Sequence, residues 1–330
     1  MSILDLFQHN AMVFYGVVAF VSLMVGSFLN VVIHRLPIMM ERGWKEGVDE
    51  YLSEHATQLA GVDDSTPERL QSNKTESAAE TLASDAADDI ASTPAVASQE
   101  TSEPFNLAVP RSRCPGCQKE ISAWQNIPVL SYLMLGGKCG NCKNPISLRY
   151  PIVEFVTMLL SLVVAWQFGP THQAVLGIVV TWFLVSMSMI DIDHQLLPDS
   201  MTLPLMWIGL LAAFLPVFAD LPSAVIGAAA GYMVLWTVYQ LFRVITGKEG
   251  MGYGDFKLLA ALGALLGWQV LPIIILLSSL VGAVVGVAII AVTGRDKNIP
   301  IPFGPYLAAA GWIAMLWGES LSNWYYGFLG

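Results

Sequence analysis

Long apolar stretches alternate with short polar connections along most of the 330-residue chain. A helix advances roughly 1.5 Å per residue, so about 20 apolar residues suffice to cross a hydrocarbon core roughly 30 Å thick. The first such run is Ala11–Ile33, and later ones cover 151–168, 173–190, 201–219, 223–242, 256–268, 270–294 and 303–317. The sixth of these eight is short. Glycine-rich breaks and proline-containing edges separate them. Within lipid each segment must satisfy its own backbone hydrogen bonds, which selects helices. The pattern therefore predicts an all-α polytopic membrane protein with about eight transmembrane helices. The first run does not read as a cleavable signal: Asp5 rather than a base precedes it, and it is too long.

One interval breaks the pattern. From Ser72 onward the stretch ESAAETLASDAADDIASTPAVASQETSE has almost no large apolar side chain. Such a segment buries too little apolar surface to offset the entropy of ordering it. Residues 41–104 are expected to be a solvated, largely disordered insert, a small acidic helical domain being the alternative. The domain organisation expected is an N-terminal span over 1–33, a loop domain over 34–150 that holds the insert and a module at 105–150, and a seven-helix membrane core over 151–330.

Composition agrees and adds one anomaly. Hydrophobic residues make up 55% and charged residues 13%, against about 25% charged in soluble domains. This excludes an ordinary soluble enzyme and a nucleic-acid binder working by bulk charge. The net charge of −10 is nevertheless large for a membrane protein, and it is local. Between Glu41 and Glu103 there are 15 acids and 4 bases, while the rest of the chain nets +1. Of the 16 bases, eleven lie between Arg35 and Arg149, three at Arg243, Lys248 and Lys257, and two at Arg295 and Lys297. All fall on one side of an eight-span topology. Basic loops stay cytoplasmic, so the 34–150 loop is expected inside the cell and both termini outside it.

All four cysteines lie in that loop, as CPGC (Cys114, Cys117) and CGNC (Cys139, Cys142). Two C-x2-C pairs can bring four thiolates to one zinc ion in a closed tetrahedral site, whose role would be structural. Two disulfides are the competing reading, disfavoured in a reducing cytoplasm. The apolar stretch Ile127–Leu135 between the knuckles could rest on the membrane or on the core.

Acids beside a membrane are costly and usually functional. They cluster at Asp191, Asp193 and Asp199, near the end of the third run, and at Asp255 in Gly252-Tyr253-Gly254-Asp255, at the start of the sixth. Asp191 and Asp255 are far apart in sequence but on the same membrane side. If the fold joins them, two neighbouring carboxyls would share a proton, and one could activate water while the other protonates a peptide carbonyl. Spacing alone leaves an aspartic peptidase and an ion- or proton-coupled transporter equally open. Asp199 reads as a solvated helix cap and Asp193 as a supporting partner. Glu154 could be functional or could pair with Arg149.

Together, GSFLNVVIHRLP (26–37), CPGC, NIP (126–128), CGNC, RYPIVE (149–154), IDIDHQLLPD (190–199) and GKEGMGYGDFK (247–257) resemble the bacterial type IV prepilin peptidases. The resemblance covers the chain outside 41–104. It implies an aspartic endopeptidase of the inner membrane with Asp191 and Asp255 as the catalytic pair and termini in the periplasm. It implies cleavage, at the cytoplasmic face, of the basic leader of type IV prepilins and type II secretion pseudopilins. It further implies N-methylation of the new N-terminus from S-adenosylmethionine. The acidic insert departs from the family's shorter connection but leaves both aspartate motifs intact. No G-x-G-x-x-G follows a strand, so the methyl-donor site would be built from helices and loops, and its residues stay unassigned.

Overall fold

A computed structural model describes residues 7–60, 105–114, 116–122, 127–248, 250–293 and 302–329. The chain divides into two compact units, Met1–Ile38 with Arg111–Gly330, and Met39–Pro110. Among the described residues there are no strands, only two isolated bridges. The all-helical class is as expected.

In chain order the helices are α1 (Ala11–Ala60), α2 (Leu130–Met134), α3 (Arg149–Phe168), α4 (His172–His194), α5 (Asp199–Ala212), α6 (Leu221–Thr246), α7 (Tyr253–Leu266), α8 (Leu271–Thr293) and α9 (Gly304–Leu329). Each apolar run of the sequence coincides with one of them. Among the described residues, five segments are long and apolar enough to cross a membrane: Ala11–His55, Arg149–Phe168, His172–His194, Leu221–Thr246 and Trp268–Ile289. Helices α5 and α7 have 14 residues each, too few to cross alone. Helix α9 runs beyond the expected 303–317 but is kinked at Trp317 (φ −130°, ψ 20°).

Local chemistry sets the helix ends. Thr171 caps α4 by accepting the Ala174 N–H at 3.3 Å, satisfying a donor that the first turn leaves orphaned. Pro222 lies in the first turn of α6, where its missing N–H costs nothing, and Gly247 ends that helix at φ 69°.

One expectation is corrected. Residues Glu41–Ala60, assigned to the disordered insert, continue α1 as helix. The polar, acidic composition read as disorder is compatible with helix where Glu, Lys, Leu and Ala dominate. Within the second unit Arg42 stacks over the Phe105 ring at 4.3 Å. The remainder of the insert, 61–104, lies outside the described residues.

The core centres on α7, which packs against α5, α6 and α9. Phe256 and nearly every residue from Leu258 to Leu265 are buried. Two glycines allow the tightest contact: a Cβ at Gly263 would stand 2.1 Å from the Gly227 carbonyl oxygen, and one at Gly227 2.2 Å from that of Gly263. Backbone thus lies on backbone where α6 and α7 cross, the use of small residues expected between membrane helices.

Candidate active site and metal centre

Asp191 lies one turn from the C-terminus of α4. Gln195 ends that helix in the left-handed region (φ 52°), with its N–H donated to the Asp191 carbonyl at 2.9 Å. The turn delivers Leu197 into the core, 7% exposed. Leu197 presses on Gly254, where a Cβ would come within 2.6 Å of the Leu197 Cβ. Gly254 directly precedes Asp255 in the first turn of α7. Leu197 also reaches α9: its Cδ1 lies 3.1 Å from the position of a Cβ on Gly304. The Gly304 N–H, in turn, donates to the Asp191 Oδ2 at 3.0 Å. Leu197 therefore links the ends of α4, α7 and α9 and holds both aspartate motifs in one place. Asp191 and Asp255 are 5% and 7% exposed, so both carboxyls are buried where these helix ends meet. The Asp255 N–H donates to the Gly252 carbonyl at 3.2 Å, and Phe256 seats the same turn among Tyr232, Tyr239 and Tyr253. Two buried carboxyls at converging helix ends can divide acid and base roles at a bound peptide.

The other acids have definite partners. Asp193 receives both terminal nitrogens of Arg149, its Oδ1 at 2.9 Å from Nη1 and its Oδ2 paired with Nη2. Of the two roles the sequence leaves open for Glu154, pairing with Arg149 is not the one adopted, because Arg149 is engaged by Asp193 of α4. Glu154 instead accepts the Val129 N–H at 2.7 Å and a hydrogen bond from Ser27. Asp199 is no lone cap: Lys257 Nζ lies 2.6 and 2.7 Å from its two oxygens. Lys257 stands two residues after Asp255, so this ion pair ties the start of α5 to the start of α7. Helix α1 joins the network through Asn30, whose Nδ2 donates to the Tyr150 carbonyl at 3.1 Å. Gly26 faces the Glu154 backbone, with only 2.8 Å between the place of a Cβ and the Glu154 Cα.

Sequence reasoning missed Gly304 and Leu197. Gly304 carried a signal, sitting between Pro302 and Pro305 at the start of an apolar run. Leu197 carried none, since one leucine among many apolar residues does not reveal what it will touch.

The four cysteine sulfurs lie within 4.8 Å of one another, and none is in a disulfide. Cys114 and Cys142 are 3.7 Å apart. Four sulfurs placed about 2.3 Å from one zinc ion sit roughly 3.8 Å apart in a tetrahedron, so the cluster fits a closed metal site. Both knuckles use one backbone plan. The Cys114 N–H donates to the Lys119 carbonyl at 3.0 Å and receives the Gln118 N–H on its own carbonyl at 2.8 Å. Cys139 does the same with Asn144 at 2.8 Å and Lys143 at 3.0 Å. Gln118 and Lys143 are both left-handed, at φ 57° and 61°. Backbone N–H groups of Cys142 and Asn141 hold the Cys139 thiol down at about 6, toward the thiolate that metals bind.

Comparison with known proteins places the chain in a family. Residues 20–168 match the bacterial peptidase A24 N-terminal domain, and residues 178–287 match the type IV leader peptidase family. A protein of Pseudomonas aeruginosa named prepilin leader peptidase/N-methyltransferase is 48% identical over 330 residues, all of this chain and 99% of that one. This chain belongs to the type IV leader peptidase family. Members so named in Aeromonas hydrophila (49% identical, 98% of this chain, 97% of that one) and Legionella pneumophila (43%, 95% of each) align over nearly their whole lengths. No solved structure gives a significant match. The leader peptidase family match of 178–287 contains both candidate catalytic aspartates, and the N-terminal domain match contains the four cysteines.

Proposed function

We propose that this chain is a bifunctional prepilin leader peptidase and N-methyltransferase. It removes the leader from type IV prepilins and type II secretion pseudopilins and then methylates the new N-terminus. The observation that carries the reading is the convergence of Asp191 and Asp255, buried at the joined ends of α4 and α7 within a family-matched core.

In this reading the two aspartates share one proton. The ionised carboxyl takes a proton from water as the water oxygen attacks the scissile carbonyl carbon. The protonated carboxyl gives its proton to the carbonyl oxygen. Collapse of the tetrahedral species breaks the C–N bond, and the amine leaves with a proton returned from the pair. The Gly304 N–H fixes Asp191, and Leu197 keeps Gly254 and Asp255 in register with it. S-adenosylmethionine is the methyl donor, and zinc at the four cysteines is structural. The protein lies in the bacterial inner membrane with termini in the periplasm and the acids at the cytoplasmic face, the orientation that the distribution of bases supports. No observation favours the transporter alternative.

Co-expression with a prepilin, followed by mass analysis of the product, tests both steps. A leader-free, N-methylated product is expected, and Asp191→Asn or Asp255→Asn should leave the prepilin uncut. Processing by either folded variant would overturn the catalytic assignment, and a cut but unmethylated product would overturn the second activity.

A further inference from the structure

The segment between the two knuckles turns apolar side chains outward. In α2, Leu130 is half exposed, and Leu133 and Met134 are 69% and 78% exposed, while Pro128 is buried against the protein. A cluster of large apolar residues left open on a small module marks an interaction surface. Three observations say what covers it.

The first is depth. Val129, which opens α2, is pinned by its N–H to the Glu154 carboxylate at 2.7 Å. Glu154 is five residues into α3, about 7 Å along a membrane-crossing helix at 1.5 Å per residue, and its side chain leans back toward the helix start. The contact holds α2 level with the first turns of that span. Val129 adopts φ 54° to make it, an unusual conformation for a β-branched residue, so the placement is specified against local preference. The second is continuity. Helix α3 exposes Ile152, Phe155 and Leu159, before and after Glu154 along the helix, so acyl chains around a membrane-crossing α3 reach the level at which α2 is held. The third is charge. Between Arg111 and Tyr150 there are six bases and a single acid, Glu120. Arg149 is engaged by Asp193; Arg111, Arg113, Lys119, Lys138 and Lys143 are exposed. A basic module with an apolar tip suits the interface of a membrane containing anionic lipid.

We infer that the four-cysteine module is an interfacial membrane anchor: Leu130, Leu133 and Met134 insert among lipid acyl chains, and the exposed bases lie on anionic headgroups. Glu154 is the positioning residue that sets the depth of insertion.

The test uses the unaltered full-length protein in vesicles of phosphatidylethanolamine and phosphatidylglycerol doped with a phospholipid carrying a diazirine in its acyl chain. After illumination, mass mapping of peptides reads the label. Label on 130–134 at a level similar to that on Ile152 and Phe155 is expected, with little on the 114–122 knuckle. Replacing phosphatidylglycerol with phosphatidylcholine should lower the label on 130–134 at least twofold and leave that on α3 unchanged. Label on α3 without label on 130–134 would overturn the anchor, and a second copy or a protein substrate cross-linked there instead would assign the face to that partner. Label on 130–134 that ignores lipid charge would overturn the headgroup contact.

Discussion

The Gly304 N–H holds the Asp191 carboxylate at 3.0 Å, and a Cβ at residue 304 would come within 2.6 Å of the same oxygen. A side chain at residue 304 would therefore push the Asp191 carboxylate out of this position. Gly304→Ala should displace Asp191 and cut leader cleavage by at least about tenfold, equivalent to roughly 1.4 kcal/mol of lost transition-state stabilisation. Thermal unfolding close to that of the parent protein would separate this local effect from misfolding. Cleavage at the parental rate would show that the contact does not position the acid.

A second prediction concerns the α6–α7 crossing. Gly263→Leu or Gly227→Leu has no space to occupy and must drive the helices apart. Overpacking of this kind costs typically 1–3 kcal/mol, so either variant should unfold several degrees lower in detergent. Gly16→Leu, at a site where a Cβ meets nothing within 4 Å, should leave the transition unchanged.

Arg149 and Asp193 form a two-point ion pair. Asp193→Ala should reduce cleavage severalfold, far less than loss of Asp191, by loosening the end of α4. The exchange Arg149→Asp with Asp193→Arg should recover part of that loss, which a merely charge-sensitive surface would not do. Initial rates for the single and double variants complete the cycle.

Lys257 and Asp199 provide the contrast. The Asp199 side chain is 56% exposed, and pairs so open to solvent typically contribute 1 kcal/mol or less. Lys257→Met should change cleavage by no more than about fivefold and the unfolding temperature by little.

Elemental analysis of the purified protein should find about one zinc per chain. Cys139→Ser should reduce this sharply, because it removes the thiol that backbone donors hold at about 6. If zinc were absent and all four thiols titrated freely, the metal assignment would fall.

Much of this was legible in the chain itself. Eight apolar runs became eight helices because lipid leaves the backbone no alternative, and paired C-x2-C spacing foretold a cluster because each knuckle closes locally. Asp191 and Asp255 stood out because acids are scarce in apolar surroundings. Pairings across the fold were not legible. Arg149 lies five residues from Glu154 and 44 from Asp193, yet it binds Asp193; local spacing left the partner of Arg149 open because the packing of α3 on α4 decides the matter. The helical stretch at 41–60 was misjudged because acidic composition alone does not distinguish a solvated helix from a solvated coil.

The glycine contact between α6 and α7 has a consequence for how the enzyme meets its bilayer. Helix α7 has 14 residues, about 21 Å at 1.5 Å per residue, well short of a hydrocarbon core of roughly 30 Å. A lipid-facing helix of that length would tilt, thin the membrane or recruit neighbours. Helix α7 is spared this because its sides touch protein. The depth of Asp255 is thereby fixed by backbone contact with α6 and is independent of hydrophobic matching, so bilayers of different thickness should present the same acid at the same height on α6.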